Sequence, residues 1–303
     1  MIEMTELTKR YGGRTAVDAL TCTVRPGHVT GFLGPNGAGK STTLRMILGL
    51  NKPTSGTVTV SGKEFRSLPR GLRHAGGLLD AGDVHPGHSG WNHLLALART
   101  NAIPKQRVQE VLEQVGLASA AKRRIGGYSL GMRQRLGIAS ALLGDPPVLL
   151  FDEPLNGLDP EGVLWVRTLF RDLAAEGRTV LVSSHLMTEM EHTADRLIVI
   201  GKGRLIADEP VADFAARSSA TSVVVRTPTP AEVRDLLAAA GGSVAVEDAE
   251  TLRVTGLAAA RISELAFQAR LLLHEVTTHT ASLEEAFMEL TADSVEYLAG
   301  AKR

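Results

Sequence analysis

Gly34-Pro35-Asn36-Gly37-Ala38-Gly39-Lys40-Ser41 fits G-x-x-x-x-G-K-[ST], the pattern of a loop that cradles phosphates. An apolar run over 29–33 precedes it and a helical run over 41–50 follows, the setting this pattern requires. The glycines let the backbone turn until successive N–H groups converge on an anion. The helix that opens at Ser41 adds its positive end to the same anion. Lys40 is expected to reach the β- and γ-phosphates as a point charge, and Ser41 to ligate Mg²⁺.

Outward from this loop, Val148-Leu149-Leu150-Phe151-Asp152-Glu153-Pro154 supplies the second half of such a site. A buried strand ending in two acids places both carboxylates at the carboxyl edge of a sheet, where open α/β sheets bind ligands. Asp152 suits a magnesium-holding role and Glu153 a water-activating one. Farther along, Ser129 and Gly131 open a helical run, so a hydroxyl and free backbone N–H groups face outward from a helix start. His185 follows the apolar run 179–183, which predicts that it too lies at the carboxyl edge.

Between these motifs, short β-type runs alternate with helical ones to about residue 210. Strands are predicted over 29–33, 57–60, 148–151, 179–183 and 197–200, and helices over 41–50, 91–99, 107–115, 132–143 and 162–175. The nearly continuous apolar runs at 148–151 and 179–182 read as strands covered on both faces. That order predicts an α/β domain on a largely parallel sheet. The composition then shifts. A β-like run at 222–226, a turn at 227–230, a helix at 231–240, a second β-like stretch near 251–255 and helices around 258–273 and 283–290 predict a small α+β appendage.

Bulk properties narrow the function classes. The 303 residues carry 33 basic and 33 acidic side chains, a balance without the basic excess of most nucleic-acid binders. Cys22 is the only cysteine, so no intramolecular disulfide forms. Residues 1–20 lack a signal-type apolar core, and no run of about 18 apolar residues occurs, so any membrane involvement requires another chain.

With these residues in view, the chain resembles the nucleotide-binding subunit of ABC transporters over most of residues 1–210. Tyr11, Tyr128-Ser129-Leu130-Gly131-Met132-Arg133-Gln134-Arg135-Leu136, Leu155-Asn156-Gly157-Leu158-Asp159-Pro160 and His185 carry the likeness, in the family's order and spacing. The resemblance implies a P-loop NTPase domain over 1–215 with an ABC-type helical subdomain at about 81–128, and a C-terminal accessory domain over 216–303. It implies ATPase activity with ATP and Mg²⁺. Tyr11 would stack on adenine, and Gly34, Pro35, Asn36, Gly37, Ala38, Gly39, Lys40, Ser41 and Thr42 would surround the phosphates. Ser41 and Asp152 would hold the metal, Glu153 would be the base, and His185 would hold the attacking water with it. Ser129 and Gly131 would cap the ATP of a second subunit, and Asp159 would belong to the same nucleotide-binding set. Where the family's coupling loop starts with glutamine, this chain has Asp80, whose carboxylate can ligate magnesium or orient water but cannot donate as an amide does. Leu130 stands where the family's signature commonly has glycine.

The same resemblance implies a nucleotide-sandwich dimer with a second copy or a homologous ATPase, working on a separate integral membrane permease at the inner face of the cell membrane. No nucleic acid is expected. Leu283-Glu284-Glu285-Ala286-Phe287-Met288-Glu289-Leu290-Thr291 resembles the end of the extension in exporters of drug- or antibiotic-like molecules. The alternative is a soluble ABC-type switch acting on ribosome or DNA, whose members join two such domains or carry coiled-coil insertions, and neither feature occurs here. A third reading makes the appendage a ligand-sensing or dimer-stabilising module. The helix around 91–99 carries an apolar stripe of Trp91, Leu94, Leu95, Leu97 and Ala98, more often core than docking surface.

Overall fold

In the computed structural model, residues 1–185, 187–217 and 222–279 are described, together with 284, 287, 288 and 290. The first part of the chain runs β1 (Ile2–Tyr11), β2 (Arg14–Val24), β3 (Val29–Leu33), α1 (Lys40–Ile47), β4 (Ser55–Val60), β5 (Ala75–Leu78), α2 (Gly90–Thr100), α3 (Lys105–Gln114) and α4 (Leu130–Leu142). It continues with β6 (Val148–Asp152), α5 (Pro160–Ala175), β7 (Thr179–Ser184), α6 (Met187–Glu191), β8 (Arg196–Gly201), β9 (Arg204–Pro210) and α7 (Val211–Arg217). The α/β expectation holds. Every residue of β3 and β7 is buried, as strands covered on both faces must be.

The main sheet has the order β5-β6-β7-β3-β8-β9, parallel throughout except for the antiparallel edge strand β9. Its register sets the site. Leu33 pairs with Ser184, and Asp152 with Ser183, so β3, β6 and β7 end level with one another at their carboxyl ends. A second sheet, β2-β1-β4, is antiparallel. Ile2, Met4, Leu20 and Val24 from that sheet, Leu44 and Ile47 from α1, and Phe32, Leu150 and Ile198 from the main sheet form one core.

Strands β1 and β2 escape the sequence pattern because their alternation breaks. Buried Ile2 and Met4 are followed by Leu7, with Glu6 in the left-handed region at φ 47; buried Val17 is followed by Leu20, with Ala19 at φ 49. Each irregularity flips the face on which the next side chains fall. Strand β5 escapes because it is rich in glycine, which is depleted in strands. A Cβ at Gly76 would lie 1.9 Å from the carbonyl oxygen of Ala141, so only glycine lets α4 approach this strand. The helix expected over 41–50 ends at Ile47, because the chain reverses through Gly49 at φ 65.

Residues 1–211 and 212–289 are separate compact units. The second takes in residues 212–217 of α7 and then runs β10 (Ser222–Arg226), α8 (Pro230–Ala239), β11 (Ser243–Val246), β12 (Thr251–Thr255), α9 (Ala259–Gln268) and β13 (Glu275–His279). Its sheet is antiparallel in the order β11-β12-β10-β13, giving the split β-α-β-β-α-β arrangement of ferredoxin-like folds. Val223, Val225, Leu252 and Val254 pack with Val233, Leu237 and Ile262 from the two helices. The helix expected over 258–273 is shorter than its leucines suggest. It stops at Gln268, where Arg270 takes φ 58 and Leu271 N–H bonds back to Ala266 O, and the chain then enters β13 beside β10. Apart from 284, 287, 288 and 290, the expected helix at 283–290 lies outside the described residues. Among the described residues no helix is long and apolar enough to cross a membrane.

Candidate active site

The phosphate-type loop joins β3 to α1 at the level carboxyl edge. Gly39 caps α1 with φ 105, and a Cβ there would lie 2.4 Å from the carbonyl oxygen of Ala16. Conformation and space both demand glycine. Lys40, only 8% exposed, folds back so that Nζ donates to Gly34 O at 2.6 Å and to Pro35 O at 3.4 Å. Burial pushes its ammonium below the ordinary lysine pKa, while Glu153 and Asp152 pull the other way.

A cleft of about 490 Å³ opens over the loop, lined by Pro35 through Thr42 and by Tyr11, Arg14, Ala16, Leu79, Asp152 and Glu153. Its size suits a small-molecule ligand. Loop and acids, 112 positions apart at Lys40 and Asp152, thus share one wall. Lysine, hydroxyls and backbone N–H groups meet two carboxylates, a donor set that fits a metal-chelated polyphosphate. Among the described residues no group of three or more His, Cys, Asp or Glu side chains could hold a metal by itself.

The acids are held by β7. The buried Ser183 hydroxyl donates to Asp152 Oδ1, and the Glu153 N–H bonds both Ser183 O and Ser183 Oγ at 3.2 Å. Glu153 itself sits in the left-handed region at φ 50, immediately before Pro154. Its Oε2 lies 2.8 Å from His185 Nδ1, so the acid and the histidine expected beyond the next strand do meet. On the far side, Gln134 Nε2 from α4 donates to the Glu153 carbonyl at 3.3 Å.

Other expected residues lie at varied distances from this centre. Tyr11 is half exposed on the cleft wall, its hydroxyl accepting from Asn51 Nδ2 at 2.8 Å and its ring under Lys9 Nζ at 5.0 Å. Asp80 is exposed, and its Oδ1 accepts from Gly82 N–H at 2.7 Å. It lines an adjoining cavity of about 390 Å³ with Leu130, Arg133, Gln134, Asn156 and the same Asp152 and Glu153. Ser129 caps α4 by accepting from Met132 N–H at 3.2 Å, and Asp159 caps α5 by accepting from Gly162 N–H at 2.9 Å. Ser129, Gly131 and Asp159 do not line the Lys40 cleft.

Ser183, Gln134, Leu79 and Arg14 join the site without having been expected there. Ser183 reads as an ordinary strand end. Gln134 did leave a signal, as a polar residue on the buried stripe of α4 with Ile138, Ala141 and Leu142.

Comparison with known proteins agrees with this geometry. A family model described as ABC transporter matches residues 17–156, and a domain of unknown function (DUF8746) matches residues 221–284. The uncharacterized ABC transporter ATP-binding protein YhcH of Bacillus subtilis (strain 168) is 38% identical over 98% of this chain and 97% of its own length. The bacitracin transport ATP-binding protein BcrA of Bacillus licheniformis is 43% identical over 69% of this chain and 70% of its own. A solved dimeric ATP-binding cassette in a post-hydrolysis state, bound to ADP and Pi, superposes with TM-score 0.63 at 25% identity over 69% of this chain and 98% of its own. With that identity along nearly its whole length, and with a lysine-and-carboxylate cleft at its centre, the chain belongs to the ABC transporter family as an ATP-binding, ATP-hydrolysing subunit.

Proposed function

We propose that the chain drives an exporter of drug- or antibiotic-like molecules, as one of two ATPase subunits seated on a separate membrane permease at the cytoplasmic face. The observation that carries the ATPase chemistry is the single cleft lined by Lys40, Ser41, Asp152 and Glu153. The likeness to a bacitracin transport protein supports the substrate class. Residues 1–215 form the ATP-binding domain in this reading, and 216–303 an accessory domain.

The loop N–H groups and Lys40 bind the triphosphate, with Lys40 exchanging its bonds to Gly34 O and Pro35 O for phosphate oxygens. Tyr11 stacks on the base. Ser41 and Asp152 would hold Mg²⁺, and Asp80, which lines the adjoining cavity with Asp152 and Glu153, would add a carboxylate to that set. The metal, when bound, offsets phosphate charge in the transition state. Glu153 takes the proton of the attacking water at its carboxylate. His185, joined to Glu153 through Nδ1, has Nε2 left to bond the γ-phosphate. Ser129 and Gly131 contact the ATP of the other copy, in keeping with their place outside the Lys40 cleft, and Asp159 stands at the same junction.

Glu153→Gln tests the core of this reading. The variant is expected to bind Mg·ATP, accumulate as a dimer and lose turnover, read by phosphate release and sedimentation. Hydrolysis at the wild-type rate would remove Glu153 as the base. Chelation with EDTA is expected to abolish turnover and added Mg²⁺ to restore it. Capture from detergent-solubilised membranes is expected to recover an integral membrane protein; recovery of ribosomal or DNA partners alone would overturn the transporter assignment.

A further inference from the structure

We propose that Gln134 is a positioning residue for Glu153, tying the backbone of the base to helix α4. The inference rests on reading Glu153 as the base. Glu153 adopts φ 50 although it has a Cβ and precedes a proline, a conformation with little intrinsic support. Such outliers persist only where the surroundings over-determine them, and they gather at functional sites. Here the N–H side of Glu153 is held by Ser183, its side chain by His185, and its carbonyl by Gln134 Nε2. Gln134 alone among these comes from the helix that opens with Ser129 and Gly131.

Gln134 is a poor residue for a purely structural position. It is 5% exposed on the apolar stripe of α4, and its Oε1 is buried with no hydrogen-bond partner among the described residues. The carbonyl of Glu153 can only accept, so it fixes the amide with Nε2 toward the base and Oε1 away from it. A leucine or methionine there would fill the space without leaving an acceptor unpaired. The glutamine is explained by what it holds. With its carbonyl anchored, the Glu153 peptide keeps its left-handed turn, and the carboxylate stays beside His185. Without the anchor, the peptide relaxes toward ordinary φ and the carboxylate swings off that line.

The test uses the full chain with Mg·ATP and the variants Gln134→Met and Gln134→Glu. Methionine keeps the length and apolar fit but has no donor. It is expected to lower kcat about tenfold, the effect of one lost hydrogen bond, with KM and nucleotide affinity within about twofold of wild type. Glutamate donates only when protonated, so turnover of Gln134→Glu is expected to recover as pH falls, a limb absent from the wild-type profile. Wild-type kcat in both variants, or a loss of nucleotide affinity and melting temperature in step with kcat, overturns the proposal. Glu153→Gln run in parallel separates the two readings. If it is inactive while both Gln134 variants turn over normally, only the positioning role fails. If it hydrolyses ATP normally, the base assignment fails and the positioning role with it.

Discussion

Lys40→Met offers the sharpest separation between a lysine kept for stability and one kept for ligand. Lys40 is buried, and among the described residues its Nζ bonds to the carbonyls of Gly34 and Pro35. Hydrogen bonds to a charged group contribute about 1.5–3 kcal/mol, while withdrawing an ammonium from water costs several kcal/mol, roughly cancelling them. Methionine has neither term, so nucleotide-free stability should change by no more than about 1 kcal/mol, or about 2–4 °C in Tm for a unit of this size. The lowered pKa gives the sign of the pH effect. The burial cost is fully present below the folded-state pKa and is relieved as pH rises from there toward the ordinary 10.5, so wild type gains on the variant in that window. Binding behaves differently. An ammonium about 4 Å from a phosphate charge at an effective dielectric near 20 contributes about 4 kcal/mol, or about a thousandfold in Kd. Thermal melts with and without Mg·ATP read both quantities. At about 100 times the wild-type Kd, wild type should gain about 2.7 kcal/mol, or about 5–10 °C, and Lys40→Met almost nothing. A variant that melted far lower without nucleotide yet kept its ATP affinity would mean that Lys40 serves the fold and not the phosphates.

Three further outcomes test the fold around the site. Cys22 is buried, which with nearby Asp208 pushes its thiol up to about 12. At pH 8 the folded protein should therefore resist alkylation that the denatured chain undergoes readily, and fast stoichiometric labelling would contradict this. The stability tied to Cys22 is complete below its ordinary value of 9.0 and is lost as pH rises through about 12, a slope that Cys22→Ala should lack. Gly76→Ala places a Cβ 1.9 Å from the Ala141 carbonyl, so strand and helix must part; a loss of about 3 kcal/mol is expected in urea unfolding, and a neutral result would mean that α4 does not rest on β5 as described.

Much of the active cleft was legible because its parts are local words. The loop from Gly34 to Ser41 needs its glycines, lysine and hydroxyl at adjacent positions, and the acids need only a buried strand before them. Ser183 and Gln134 were not legible as partners of Glu153. Each acts through a hydrogen bond to a residue 30 or 19 positions away, and nothing in the local pattern marks the pairing. In the fold, β3, β6, β7 and β8 stood out as short, mostly apolar runs, nearly continuous at 148–151 and 179–182. Strands β1 and β2 were hidden by phase breaks at Glu6 and Ala19, and β5 by glycines whose purpose is the approach of α4. The leucines at 271–273 look helical, yet Leu271 and Leu273 pack on the second unit's core from the far side of a left-handed turn at Arg270.

Composition and pattern alone determined that this is an α/β chain with a phosphate-type loop and an acidic strand end, because those features depend on neighbours within a few residues. It takes the folded chain to bring Lys40 and Glu153 to one cleft, to bend Glu153 into a left-handed turn, and to set Gln134 and Ser183 against it. Those facts arise from strand register and helix packing, which join distant residues through burial and hydrogen bonding that no local segment encodes.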